Sequence, residues 1–339
     1  MKRKMVSLLA MLVAMTVMLG MCMAPASAEE FDPSKYTMAV YLWPTSNPTV
    51  AVMAAGFMQT AVELGYNAMV IGGDISDPAL GFQMVDSALA QHDLAGMTYN
   101  ATEETAWKKL KEITDAGVPV VCIWNRVTQE NLDLYGVDPN MVLGWYAPDA
   151  ADYGYECGLV MGEACGGKGT LAVTQSMFNE TEDAAAAGFR KAIAEKYPDM
   201  VVLDTQLEGL ETVAGISVIT AIIQGNQDLV GAFGTTGTSA QTWAAAKKNT
   251  GWDGKMIGMD FTAQNLDLLE NGDIFGIVAQ PIYSAFGECA KQIDRYLRGQ
   301  EMIFDNPYPS PIIYKDDVPQ YRELISNIPV YQGNAVVSK

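Results

Sequence analysis

A chain of 339 residues, 49% hydrophobic and 18% charged, is too apolar for a disordered protein and long enough for about two domains with a core each. Its 21 Lys and Arg residues against 40 Asp and Glu residues give a net charge of −19, which repels phosphate and argues against a nucleic-acid partner. The single histidine, His92, argues against most imidazole catalysis and zinc chemistry.

Residues 1–28 open with Lys2, Arg3 and Lys4, continue as an apolar run from Met5 to Met23 and end at Ala26-Ser27-Ala28. These are the three regions of a secretory signal peptide, so cleavage after Ala28 and a periplasmic or extracellular chain are expected. A retained anchor is the alternative, since the run nearly spans a bilayer, but the A-x-A site and the lack of a second span favour cleavage. Cys22 is disfavoured as a lipid anchor because Met21 stands where a lipoprotein leader has a small residue. The leader holds three basic residues and no acid, so the remaining chain carries −22. Export permits disulfides. Cys157 and Cys165, however, fall in one expected helix, about 12 Å apart along its axis and beyond the ~7 Å reach of a bridge. With no C-x-x-C present, Cys122, Cys157, Cys165 and Cys289 are read as small buried hydrophobes.

From Tyr36 onward, short β-rich runs alternate with amphipathic stretches. Strands are expected at Met38–Trp43, Ala68–Gly72, Val118–Ile123, Leu171–Gln175, Val201–Thr205, Leu229–Phe233, Met256–Met259 and Phe275–Gln280. Helices are expected at Val50–Leu64, Glu103–Asp115, Asp183–Glu195, Val213–Ile223 and Tyr283–Leu297. Gly154, Gly158 and Gly162 form a stripe on a further helix, which is expected to pack closely on a sheet. The alternation predicts an α/β fold of parallel sheets covered by helices on both faces, in two similar halves joined near Pro148. Asn306–Pro311 is Pro-rich and reads as an extended crossing strand or linker.

In open parallel sheets ligands bind beyond the carboxyl ends of the strands. The residues there are Trp43 to Asn47, Trp124-Asn125-Arg126, Ser176-Met177-Phe178-Asn179, Thr235-Thr236, Asp260 and Gln280. Flat rings to cover C–H faces, together with amides, hydroxyls, one Arg and one Asp, suit a sugar or polyol. Each also has a structural alternative. Trp43 and Trp124 end strands and could be core, Asp260 could cap the helix that starts at Thr262, and Arg126 could form a surface ion pair. Trp243, in an Ala-rich helix, is read as packing.

Other chemistry finds little support. Gly162 to Lys168 resembles a P-loop, but Gly169 replaces the required Ser or Thr and the order of helix and strand is reversed. Gly72-Gly73-Asp74 is too short for a dinucleotide fingerprint, and no EF-hand spacing occurs. Glu208 and Glu211 are read as surface charge rather than a glycosidase pair, and His92 as a solvated residue at a helix end. With no G-x-S-x-G elbow or nucleophile–base set, an enzyme is not expected, nor is any cofactor or metal.

The order of features resembles a known family. A leader precedes a first strand ending near Asn47-Pro48. Then follow Ala116-Gly117-Val118-Pro119-Val120-Val121, Asp149 with Gly154 and Gly158, Gly166-Gly167-Lys168-Gly169, and Ile257-Gly258-Met259-Asp260 before Val278-Ala279-Gln280. The chain is similar to type I periplasmic solute-binding proteins, in the branch of the ribose- and galactose-binding proteins of sugar ABC transporters. The resemblance implies two Rossmann-like lobes joined by a three-strand hinge near Pro148, Gln280 and Pro311. The lobes would comprise residues 36–148 with 281–310, and 149–280 with 311–339. It also implies a monomer that closes on a small ligand and delivers it to a membrane ABC permease. Asn47, Asp260 and Gln280 look like the family's ligand-binding positions; Trp43, Trp124, Asn125, Arg126, Phe178 and Thr236 complete the candidate set. The sequence departs from the family pattern at Thr49-Val50, Trp124-Asn125-Arg126 and Thr236-Gly237, which thins the acidic groups and points to a ligand with a larger or less hydroxylated apolar face than ribose. A nucleoside or signalling-molecule receptor on the same fold is the alternative; an exported hydrolase or a repressor-type regulator fits less well.

Overall fold

The computed structural model describes residues 31–43, 48–73, 77–209, 211–326, 328, 331 and 336–338. The leader, Cys22 and Asn47 lie outside the described residues.

Two sheets organise the chain. The first is built from Thr37–Tyr41 (β1), Asn67–Ile71 (β2), Leu94–Tyr99 (β3), Val120–Ile123 (β4) and Val142–Pro148 (β5), parallel in the order β5-β4-β3-β1-β2. Pro48–Glu63 (α1), Pro78–Gln91 (α2), Glu104–Asp115 (α3) and Gln129–Tyr135 (α4) connect them. The second sheet follows Ala150–Ala164 (α5). It contains Gly169–Gln175 (β6), Met200–Val202 (β7), Gln206–Leu207 (β8), Leu229–Gly234 (β9), Lys255–Met259 (β10) and Gly276–Val278 (β11), joined by Glu180–Lys196 (α6), Thr212–Gly225 (α7), Ser239–Thr250 (α8) and Ala263–Asn271 (α9). Its parallel order, β11-β10-β9-β6-β7, repeats the first lobe strand for strand. The expected α/β architecture of two similar lobes is therefore present. In each lobe the strand order reverses beside the first strand, at β1/β3 and at β6/β9, and such switch points open a crevice for ligands.

The chain then crosses back and forth. Ile282–Leu297 (α10) packs on α1, Asp305–Tyr308 (β12) pairs with β5, and Ile312–Ile313 (β13) pairs with β11. Val318–Ser326 (α11) packs on α9, where Arg322 reaches Asp267 and Glu270 at 2.6 and 2.7 Å. Val336–Val337 (β14) pairs antiparallel with β2. The changes of sheet thus fall at 148–150, 279–281 and 309–311, near the three expected positions. The tail differs from the expectation: residues 311–326 accompany the second sheet, but β14 returns to the first.

Burial explains the elements. Strands β1, β2 and β4 are buried along nearly their whole length, so their apolar runs carry no alternation. On α3 the buried Ala106, Trp107, Leu110, Ile113 and Thr114 recur at helical spacing and pack under the first sheet. The expected strand at 201–205 is shorter in the structure: β7 ends at Val202, and Arg190 of α6 donates to the Val202 and Leu203 carbonyls, at 3.2 and 2.5 Å, and to the Thr205 hydroxyl before β8 begins at Gln206. Strand β3 escaped the sequence reading: Gly96 interrupts its β-rich pattern, because a side chain there would collide with Ile293.

The glycine stripe packs on a helix, not on a sheet as expected. A Cβ on Gly154 would lie 2.1 Å from the Ala185 carbonyl oxygen, and one on Gly188 would lie 2.2 Å from that of Ala151, so α5 and α6 meet backbone to backbone. Gly154→Val is expected to cost about 1–3 kcal/mol by forcing the helices apart, read as a lower denaturation midpoint; an unchanged midpoint would contradict this packing. All four described cysteines are free thiols. Cys122, Cys157 and Cys289 are buried as expected, and burial pushes the Cys122 thiol up to about 12; Cys165 is only half-buried.

Candidate functional site

The two lobes present equivalent residues to the strand-end face. Trp124 follows β4 and Asp260 follows β10, strands in corresponding positions of the two sheets, and both adopt left-handed backbone conformations at φ 71° and 65°. The cause is the same in each. The Trp124 amide donates to the Tyr146 carbonyl (2.9 Å) and the Asp260 amide to the Val278 carbonyl (3.0 Å), holding each residue to the neighbouring strand while the chain turns away. Such conformations are uncommon for residues other than glycine and costly for a bulky one, and they concentrate at functional sites. They are the only positive-φ residues other than glycine among those described.

Asp260 and Gln280 form one unit. The Gln280 side-chain amide donates to Asp260 Oδ1 at 3.0 Å, which leaves Gln280 Oε1 buried without a partner. Burial drives the Asp260 carboxyl up to about 6, with the Gln280 hydrogen bond opposing the shift. Helix α9 takes its cap from Thr262, whose hydroxyl accepts from the Asn265 amide, so Asp260 is not spent as a cap. Buried polar atoms are normally paired. Among the described residues, five side-chain atoms are not: Tyr99 OH, Gln175 Oε1, Thr238 Oγ1, Gln280 Oε1 and Ser310 Oγ. Tyr99 ends β3, Gln175 ends β6, Thr238 precedes α8, and Gln280 and Ser310 lie in crossings. The unspent hydrogen-bonding capacity thus gathers on the strand-end face and at the hinge.

Two carboxylates brace the second lobe's half of that face. Glu182 accepts from the Ser176 amide (2.7 Å), the Thr235 hydroxyl (2.7 Å), the Asn179 amide (3.0 Å) and the Ser176 hydroxyl. It ties the ends of β6 and β9 to the start of α6. Glu208, expected on the surface, is 2% exposed and accepts from Thr174 (2.8 Å), Ser239 and Thr242 hydroxyls. Burial raises its pKa, and the three hydroxyls pull it back. Glu211 is exposed as expected. Whereas these oxygens are engaged internally, the Asp260 side chain accepts from Gln280 alone among the described residues and has acceptor capacity to spare.

The remaining candidates divide. Trp43 donates to the Tyr41 hydroxyl at 2.9 Å and, with Trp124, Asn100 and Glu103, lines a cleft of about 380 Å3 at the first lobe's switch point. Asn125 donates to the Ala101 carbonyl (3.2 Å) and reaches the Asn100 side chain (3.4 Å), fixing the loop after β3. Arg126 stands 5.8 Å over the Trp145 ring, rather than in a surface ion pair. With Trp124, Asp149, Thr181 and Asp305 it lines a second cleft of about 330 Å3 that spans both lobes. There the Thr181 hydroxyl donates to the Trp124 carbonyl across the lobes at 3.4 Å. Thr236 is half-buried and its amide donates to Ser239 Oγ, tying it to the Glu208 brace. Phe178 is 66% exposed and lines neither cleft. Trp243 is fully buried packing, as read, and donates to Thr174. His92 is the C-cap of α2. The described residues hold no group of His, Cys, Asp and Glu placed to bind a metal, and no helix long and apolar enough to cross a membrane.

Comparison with known proteins agrees with this arrangement. Residues 38–301 match the periplasmic binding protein domain family, and the chain belongs to it. It is 26% identical over 254 residues to the D-apiose import binding protein of Actinobacillus succinogenes, covering 74% of this chain and 79% of that protein. The fold matches an ABC transporter solute-binding protein from Agrobacterium vitis bound with α-D-tagatopyranose, with TM-score 0.76 and 20% identity over 88% of this chain and all of that one. It equally matches a solute-binding protein from Actinobacillus succinogenes with bound D-allose, with TM-score 0.76 and 18% identity over 84% of this chain and all of that one. The family is one of solute-binding proteins, not of enzymes.

Proposed function

We propose that this protein captures a neutral sugar or polyol between its lobes and hands it to a membrane ABC permease. The observation that carries the reading is the Asp260–Gln280 pair, which presents a carboxylate and an unpartnered amide oxygen beside the second crossing. Sugar hydroxyls are the donors such acceptors require, and the Trp43 and Trp124 rings offer faces for C–H groups. Relatives named for apiose import, and neighbours bound to tagatose and allose, support a carbohydrate. Acids outnumber Arg126 around the clefts, which disfavours phosphorylated or acidic sugars. Ligand contacts with both lobes would favour the closed arrangement, which the permease then reads. Cleavage after Ala28 would export the chain as a monomer.

Isothermal titration calorimetry against pentoses, hexoses, apiose and their polyols tests the reading. At least one is expected to bind with a Kd of about 1 μM or tighter, and its phosphate ester at least tenfold more weakly. If no carbohydrate binds below about 1 mM, the reading fails. Light scattering and intact mass of the secreted protein check the monomer and the Glu29 start.

A further inference from the structure

The cleft of about 380 Å3 in the first lobe is by itself of small-ligand size, and neither Asp260 nor Gln280 lines it. Its walls come from four places. Tyr41 and Trp43 close the end of β1, Phe82 projects from α2, Trp124 follows β4, and Glu103 stands at the rim before α3. The aromatic faces are not spent on each other. Among the described residues Trp43 and Phe82 stack on no ring, Tyr41 stacks on Tyr99 (5.2 Å), and Trp124 tilts against Phe286 (5.9 Å). Beneath Tyr41 lies the fully buried Tyr99 hydroxyl, without a partner. Trp124, on its left-handed backbone, also lines the 330 Å3 cleft between the lobes, so the two spaces share this residue.

We infer that the ligand has two parts: a sugar held between the lobes, and a flat or apolar-faced ring on that sugar that enters the first-lobe cleft among Trp43, Phe82 and Trp124. This rests on the carbohydrate reading above and narrows it to glycosides: a nucleoside, an aryl glycoside or a disaccharide. A free monosaccharide between the lobes would meet the shared Trp124 and leave Phe82 and the depth of the first-lobe cleft uncovered. An anionic substituent is disfavoured, because Glu103 lines the cleft and none of the described residues that line it is basic.

The test pairs each free sugar with a two-ring partner: D-ribose with adenosine, and D-galactose with both phenyl β-D-galactoside and lactose, by calorimetry on the purified protein. At least one two-ring compound is expected to bind about tenfold or more tightly than its free sugar, as stacking on aromatic side chains commonly contributes. Which partner wins identifies the source of the second ring. Phe82→Ala should weaken that compound several-fold more than the free sugar, and Phe82→Leu, which keeps bulk but not the ring face, should do the same. Free monosaccharides binding as tightly as every partner would overturn the inference and leave the carbohydrate reading standing. Equal losses for one- and two-ring compounds in both Phe82 variants would also overturn it. Binding of neither kind, here or in the wider sugar panel, would defeat both.

Discussion

Asp260→Asn is expected to weaken ligand binding at least 100-fold while making the unliganded protein more stable at neutral pH. Asparagine is the informative replacement because it accepts the left-handed backbone that Asp260 adopts at φ 65° and keeps an acceptor for the Gln280 amide. What it removes is the charge. A hydrogen bond to a carboxylate contributes about 1.5–3 kcal/mol, so losing one or two charged contacts to sugar hydroxyls accounts for the drop. Stability moves the other way because burial holds the folded carboxyl at about 6, above its ordinary value of 3.8. Between those values the native state binds the proton and the unfolded state does not, so stability falls as pH rises through that window and stays low above it. By linkage the penalty at pH 7 is of the order of 3 kcal/mol, and the amide escapes it. Binding has the opposite dependence: the ionised carboxylate is the stronger acceptor and protonation turns one of its oxygens into a donor, so affinity should fall as pH drops below about 6 in the parent and stay flat in the variant. A misfolded variant cannot melt higher while binding worse. Affinity within threefold of the parent, or a melting temperature below it at pH 7.5, would remove Asp260 from the site.

The pair that carries this prediction was legible in the sequence; much of what supports it was not. Strand-end reasoning reached Trp124, Asp260 and Gln280 because a buried parallel strand is an unbroken apolar run, and the residue where the run stops is easily found. The left-handed turns at Trp124 and Asp260 were invisible, since they come from hydrogen bonds to strands 22 and 18 residues downstream, at Tyr146 and Val278. Glu182 and Glu208 were missed for a related reason. A carboxylate surrounded by polar residues reads as surface charge, and only the fold brings Thr174 and Ser239, 34 and 31 residues away, onto Glu208. The glycine stripe was visible but its partner was not: spacing reveals a close approach, and only the α6 backbone reveals to what. Strand β14 is two residues long, too short for any periodic signal.

Glu208 carries the second large effect. Glu208→Ala is expected to lower stability by about 3 kcal/mol, read as a drop in the urea midpoint at unchanged slope. The truncation opens a void at a site 2% exposed, and leaves the Thr174 and Ser239 hydroxyls without their acceptor. Trp243, which donates to Thr174 at 3.0 Å, loses the orientation of that hydroxyl in turn. Thr242 is the exception: its hydroxyl can turn to the Ser239 carbonyl at 3.0 Å, so its loss is partial. That alternative gives Glu208→Gln a different outcome. The amide oxygen can keep Thr174 and Ser239 while the NH2 group donates to a Thr242 hydroxyl turned toward that carbonyl. The three hydroxyls then stay paired, and the burial that raises the carboxyl pKa no longer opposes a charge. The glutamine variant should lie within about 1 kcal/mol of the parent. If alanine were equally mild, the hydroxyl cluster would not be what anchors the end of β6 to the start of α8; if both were severe, the charge itself would be required. With alanine severe and glutamine mild, the brace acts by hydrogen bonding, and Asp260 remains a strand-end carboxylate with an oxygen free to meet a ligand.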